Sequence, residues 1–222
     1  MTKKVRDCFV LGIVFVGLLF GGGCAGSKTY LLNLSYNPSP ISPPFLTGSG
    51  KPARVAVYNI QDVRPERMYL GQRVYSDGMA DFYKPDAGTV EQVVTSSFIK
   101  MLEKAGFEII RVNRYLDPEK EEFKNIPGDL AFGGKIEALW LEAKSGVATT
   151  DSVAKTRFQV TWGIVKERIW ISKNIEGTAQ ESDRPFYGPE DAAAKINEVY
   201  RDSLDKVLKN ETMLREKLLQ LK

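Results

Sequence analysis

The chain has 222 residues, 43% of them hydrophobic, and its 31 Lys and Arg nearly balance 28 Asp and Glu. That length supports one domain with a substantial core, and the near-neutral charge offers no basic surface of the kind nucleic acid requires, so no nucleic-acid partner is expected. There is no histidine, and the two cysteines are Cys8 and Cys24. Histidine triads, His/Cys zinc sites and thiolate catalysis are therefore excluded beyond residue 24, and neither a cofactor motif nor an Asp/Glu spacing for a metal is present.

The N-terminus carries Lys3, Lys4 and Arg6, then an apolar run from Cys8 to Phe20, then Gly21-Gly22-Gly23-Cys24. A positive start, an apolar core of about 13 residues and small residues before a cleavage point make a secretory signal peptide over residues 1–23. Because the small residues lead straight into a cysteine, the segment resembles the lipobox of bacterial lipoproteins. The resemblance implies cleavage before Cys24, a diacylglycerol on its thiol and attachment to a membrane through that lipid. Gly21 stands where the lipobox usually has an aliphatic residue. The competing readings are ordinary signal-peptide cleavage and an uncleaved anchor, for which the apolar stretch of about 17 residues is at the short edge of a membrane span. Ala25, in place of the Asp that retains many lipoproteins in the inner membrane, implies the outer membrane, with the domain facing the periplasm.

Residues 24–53 read as the lipidated N-terminus, a short strand at Thr29 to Leu34, and a tether rich in proline (Pro38, Pro40, Pro43, Pro44 and Pro52) that holds the domain off the membrane. Gly48-Ser49-Gly50-Lys51 is not a phosphate loop, because Pro52 occupies the Ser/Thr position and no strand precedes it. The domain proper is expected over residues 54–222. Arg54 to Ile60 is an almost continuous apolar run of strand length, as for a strand covered on both faces. Thr89, with Gln92 three residues on, forms a capping box for a helix whose stripe is Val90, Val93, Val94, Phe98, Met101, Leu102 and Ala105, and which Gly106 stops. Phe107 to Val112 is the next strand, so this part is β-α-β with parallel strands.

Three long strands follow. Leu130, Phe132, Gly134, Ile136, Ala138 and Trp140 are expected on one face, as are Ala154, Thr156, Phe158, Val160, Trp162 and Ile164, with Lys166-Glu167 turning into Arg168 to Ala179. Pro189 opens a last helix with the stripe Ile196, Val199, Tyr200, Leu204, Val207 and Leu208, and Met213, Leu214, Leu218 and Leu221 continue a similar spacing beyond Asn210. The expected fold class is α+β, a single mixed β-sheet with two main helices packed on one face.

Ser97-Phe98-Ile99-Lys100 and Ser203-Leu204-Asp205-Lys206 match S-x-x-K. There is no K-T-G or S-D-N to support them, both serines fall within amphipathic helices, and no enzyme is expected. Gln61 to Gly88 is more informative. About 28 residues without helical periodicity, rich in arginine and aromatics, exceed what a connection needs, and such segments are functional or hold a hairpin of their own. Asp62, Arg64, Arg73 and Tyr75 are the candidate partner-binding residues. The alternative is that Asp62 pairs with Arg64 or Arg73 to fix the loop while the aromatics cover a sheet edge.

The strand ending Asn59-Ile60-Gln61-Asp62-Val63-Arg64, then Leu70-Gly71-Gln72-Arg73, Gly78, the Thr-capped helix closing Lys104-Ala105-Gly106-Phe107, and Gly133-Gly134-Lys135-Ile136 resemble the YajG-like family of bacterial envelope lipoproteins. The resemblance spans about Arg54 to Leu208. It implies a periplasm-facing α+β lipoprotein domain and brings no catalytic residues. A non-catalytic, protein-binding role in cell-envelope assembly or maintenance is the expectation, with an envelope protein as partner. The alternative, suggested by the lipobox and Tyr30-Leu31-Leu32, is an auxiliary lipoprotein of an ABC-type lipid transporter.

Overall fold

The structure, a computed structural model, describes residues 26–36 and 52–209. Cys24, the leader, most of the proline-rich segment and the leucines after Asn210 lie outside the described residues. Eight strands form one mixed sheet: β1 (Thr29–Leu32), β2 (Arg54–Asp62), β3 (Gly71–Tyr75), β4 (Ala80–Pro85), β5 (Glu108–Tyr115), β6 (Leu130–Ser145), β7 (Thr150–Ile164) and β8 (Ile169–Arg184). Two α-helices accompany them, α1 (Val90–Lys104) and α2 (Pro189–Lys209). The class is α+β.

The sheet is organised by β6. One side of this 16-residue strand pairs antiparallel with β7 along its whole length, and β8 continues antiparallel beyond β7. The other side is shared. Its first half takes β2 in parallel, from Val55 opposite Leu130 to Asp62 opposite Ile136, with β5 parallel beyond β2. Its second half takes β3 in parallel, from Gly71 opposite Leu141 to Tyr75 opposite Ser145. β4 then pairs antiparallel with β3, and β1 pairs parallel with β4. Gly71 is required where β3 reaches β6, because a Cβ there would lie 2.0 Å from the Leu141 carbonyl oxygen.

Local sequence explains the elements. Thr89 and Gln92 make the reciprocal capping box, and Gly106 follows the helix at φ 96°, a conformation that glycine adopts at little cost. The β2 run is covered on both faces: Val55, Val57 and Ile60 enter the main core, while Ala56 and Tyr58 join a smaller cluster with Ile126 and Ala131. That second cluster lies under the segment between β5 and β6, which includes a 3-10 turn at Phe123–Asn125. There Phe123 stacks on Trp170 at 4.7 Å, and Arg114 pairs with Glu121 while its guanidinium sits 5.1 Å from the Tyr58 ring. In the main core, Phe158 of β7 meets Phe98 of α1 edge-on at 5.8 Å and Tyr200 of α2 at 6.1 Å.

Several sequence expectations change in detail. In β6 the register shifts between Ile136 and Ala138, so the buried residues are Ile136 and then Leu139, Leu141 and Ala143, and not Ala138 and Trp140. One extra residue in a strand reverses the faces of everything after it. β5 and β8 run further than their apolar residues suggest, to Tyr115 and Arg184. Within residues 61–88 there is a hairpin, β3–β4.

The residues before the proline-rich segment belong to the domain. β1 is hydrogen-bonded into the sheet, and Leu32, Leu34 and Tyr36 are in the main core. The Tyr36 hydroxyl donates to Asp205 Oδ1 at 2.8 Å, the Ser35 amide donates to Asn197 Oδ1 at 2.9 Å, and Asn197 Nδ2 donates to the Asn33 carbonyl at 2.8 Å. The proline-rich segment thus connects two strands of one sheet.

Candidate functional site

Asp62 and Arg64 sit where the chain leaves β6 after β2 and returns to it as β3. The Val63 amide still bonds the Ile136 carbonyl, and Leu141 N–H bonds the Leu70 carbonyl. Between these two points Leu139 O lacks a strand neighbour, and Arg64 Nη1 donates to it at 2.8 Å. The same guanidinium forks onto Asp62, Nε to Oδ1 and Nη2 to Oδ2, each at 2.9 Å. Its remaining donors reach the Tyr69 carbonyl at 3.0 Å and the Arg67 carbonyl at 3.2 Å. Arg64 is 3% exposed and Asp62 7%. Every N–H of the guanidinium has a partner inside the protein, a geometry that only arginine's planar fork supplies.

Arg73 and Tyr75 stand at one end of the sheet. Arg73 Nε donates to Ser145 Oγ at 2.6 Å and Nη1 to the Tyr187 carbonyl at 2.7 Å, with its guanidinium 4.7 Å from the Tyr75 ring and 5.5 Å from that of Tyr187. Ser145 and Thr150, which flank the β6–β7 turn, share a hydroxyl contact of 2.8 Å. Tyr75 donates to Asp81 Oδ2 at 2.6 Å, and Asp81 Oδ1 accepts the Lys28 amide at 2.9 Å, just ahead of β1. One network therefore ties together the start of β1, the β3–β4 hairpin, the β6–β7 turn and the loop between β8 and α2. Burial, followed by the hydrogen bond to Asp81, pushes the Tyr75 phenol up to about 12, and burial does the same to Tyr187.

The four candidates thus form two separate groups. Asp62 and Arg64 are buried together. Arg73 and Tyr75 are half-buried with internal partners. Sequence reasoning missed Asp81, Ser145, Thr150 and Tyr187, whose contacts to Arg73 or Tyr75 mostly cross 72 or more positions of the chain and leave no local pattern. Around the first group Val63, Pro65, Glu66, Arg67 and Met68 are exposed, and Tyr115, close to Arg67, donates to Glu91. Of the two S-x-x-K serines, Ser97 is buried in α1, and buried Ser203 contacts the Thr156 hydroxyl at 2.5 Å. Among the described residues no cluster of three Cys, Asp or Glu could hold a metal, and no helix is long and apolar enough to cross a membrane.

No protein-family model matches the chain, and no curated protein matches it. It is similar to several solved structures. One is an uncharacterized protein, 7% identical, with a TM-score of 0.43 over 83% of this chain and 97% of that one. Another is a putative neuraminyllactose-binding hemagglutinin homolog from Helicobacter pylori, 11% identical, with a TM-score of 0.44 over 87% and 100%. A third is lipoprotein GNA1162 from Neisseria meningitidis, 11% identical, with a TM-score of 0.35 over 67% and 99%. These values carry no functional reading across to this chain.

Proposed function

We propose that the chain is a bacterial lipoprotein of the YajG-like kind, held in the outer membrane by acyl chains on Cys24, whose non-catalytic periplasmic domain binds another envelope protein. The observation that carries this reading is the leader ending in Gly21-Gly22-Gly23-Cys24, followed within a few residues by a strand hydrogen-bonded into the sheet. The anchor is therefore attached directly to the folded domain. The absence of histidine, and of any thiol beyond Cys24, supports a binding role over catalysis. Both helices lie on one face of the sheet in this account, supported by the shared contact of Phe98 and Tyr200 with Phe158.

Asp62, Arg64, Arg73 and Tyr75 contribute to recognition by holding the 61–88 segment in shape. The contact itself falls to the exposed Val63, Arg67 and Met68 with neighbouring Tyr115, since arginine and tyrosine around an apolar centre are favoured binding anchors. A photoreactive side chain placed at position 68 of the full-length protein in cells tests this. A discrete adduct with one envelope protein, identified by mass spectrometry, is the expected result. Membrane-bound protein that yields no protein adduct from position 68 contradicts it.

A further inference from the structure

Three exposed apolar side chains occupy three turns at the same end of the sheet. The pairing of Tyr75 with Ser145 and of Thr150 with Arg184 brings the ends of β3, β6, β7 and β8 level with one another. Beyond those ends project Met79 in the β3–β4 turn, Val147 at the apex of the β6–β7 turn, and Phe186 in the loop that leads to α2, the last two fully exposed. Solitary exposed apolar residues are ordinary, but here each of three turns at one end of the sheet carries one, Met79 being 39% exposed.

The loop carrying Phe186 is held in an unfavourable conformation. Phe186 has φ of 53°, a left-handed backbone that is costly for an aromatic residue, and it is exposed while Tyr187 next to it is buried. The Arg73 hydrogen bonds to Ser145 and to the Tyr187 carbonyl fix two of the three tips relative to each other.

The N-terminal end of β1 lies at this end. β1 runs parallel to β4, with Thr29 opposite Phe82, and the Lys28 amide is bonded to Asp81, so the chain enters the sheet beside the β3–β4 turn. Lys28 is four chain steps from Cys24, a span of at most about 14 Å. From β1 across to β8 at this end are five inter-strand steps, or about 24 Å, so all three tips lie within one domain's width of the anchoring point.

We propose that the end of the sheet bearing Met79, Val147 and Phe186 is the face by which the domain rests on the phospholipid surface that holds Cys24. This rests on the lipoprotein reading of the leader. The charged groups at this end are mixed: Lys28, Lys144 and Arg184 against Asp77, Asp151 and Asp183, with Lys144 and Arg184 already paired to acidic neighbours. The contact is therefore apolar and does not depend on anionic lipid or low salt.

A benzophenone side chain placed at position 79, 147 or 186 of the full-length protein, irradiated in cells, tests the proposal, with position 166 in the turn at the opposite end of β7 as control. The expected result is a mass shift of one phospholipid at 79, 147 and 186 and none at 166. Palmitate labelling of the same samples reads the anchor separately. Labelled protein without lipid adducts at the three tips overturns the contact and leaves the lipoprotein reading intact. Unlabelled protein without adducts overturns both, whereas adducts without palmitate support the contact alone. A protein adduct at 147 or 186 in place of lipid also overturns it, by assigning this face to a protein partner.

Discussion

Replacing Arg64 with methionine separates a structural clamp from a binding residue. The substitution keeps much of the side-chain volume but leaves the Asp62 carboxylate, 7% exposed, without its forked partner, and leaves the Leu139 and Tyr69 carbonyls without donors. Breaking a buried ion pair by removing one member costs about 3–5 kcal/mol. In a domain of this size each kcal/mol moves the melting temperature by about 2–4 °C, so a fall of roughly 6–20 °C is expected. Thermal and urea unfolding of the mature chain measure it. The double variant Asp62→Leu/Arg64→Met removes the stranded charge and should recover part of the loss, but not all, because the Leu139 carbonyl still lacks a donor. An Arg64→Met protein within about 1 kcal/mol of the parent, or a double variant as unstable as the single one, would refute this account of the clamp.

Gly177→Ala should destabilise by about 2 kcal/mol or more in urea unfolding, because the new Cβ would lie 2.4 Å from Ser203 Oγ and 2.8 Å from Thr156 Oγ1, prying α2 from the sheet. Thr89→Ala removes the capping box of α1 at a cost of about 1 kcal/mol, measured the same way. Tyr36→Phe leaves Asp205 without its hydroxyl donor, and should speed proteolysis near residues 33–36 before global unfolding does. The phenols of buried Tyr58 and Tyr187 and of half-buried Tyr75, each pushed up to about 12, are raised above the unfolded value of 10. Their contribution to stability is complete below pH 10 and is lost as pH rises through about 12, so phenolate absorbance and unfolding should climb together in that window.

Where the sequence is legible, the structure is local. The Thr89–Gln92 box and Pro189 mark the two helix starts because capping and proline act within one turn. The alternation of β7 from Ala154 to Val160 is visible because one face is buried and the other carries Lys155 and Arg157, whereas from Val160 to Ile164 both faces are covered. β3 is hidden because, of Gly71-Gln72-Arg73-Val74-Tyr75, all but Gly71 are half-buried, so no clean alternation forms. The β6 bulge is invisible because the residues after it still alternate, with the faces exchanged. At the candidate site, Asp62 and Arg64 are two positions apart, and their pairing was one of the alternatives open from sequence. The role of Arg64 in supplying Leu139 with a donor, 75 positions away, depends on how two strands share one side of β6.

The central claim is that Cys24 carries the lipid that holds this domain at a membrane. Metabolic labelling with a palmitate analogue, comparing the parent with Cys24→Ser and followed by membrane fractionation, tests it most directly. The account predicts label and membrane association in the parent, and their loss in Cys24→Ser with the folded domain still produced. Equal labelling of the two proteins, with Cys24→Ser retained in the membrane fraction, would contradict it.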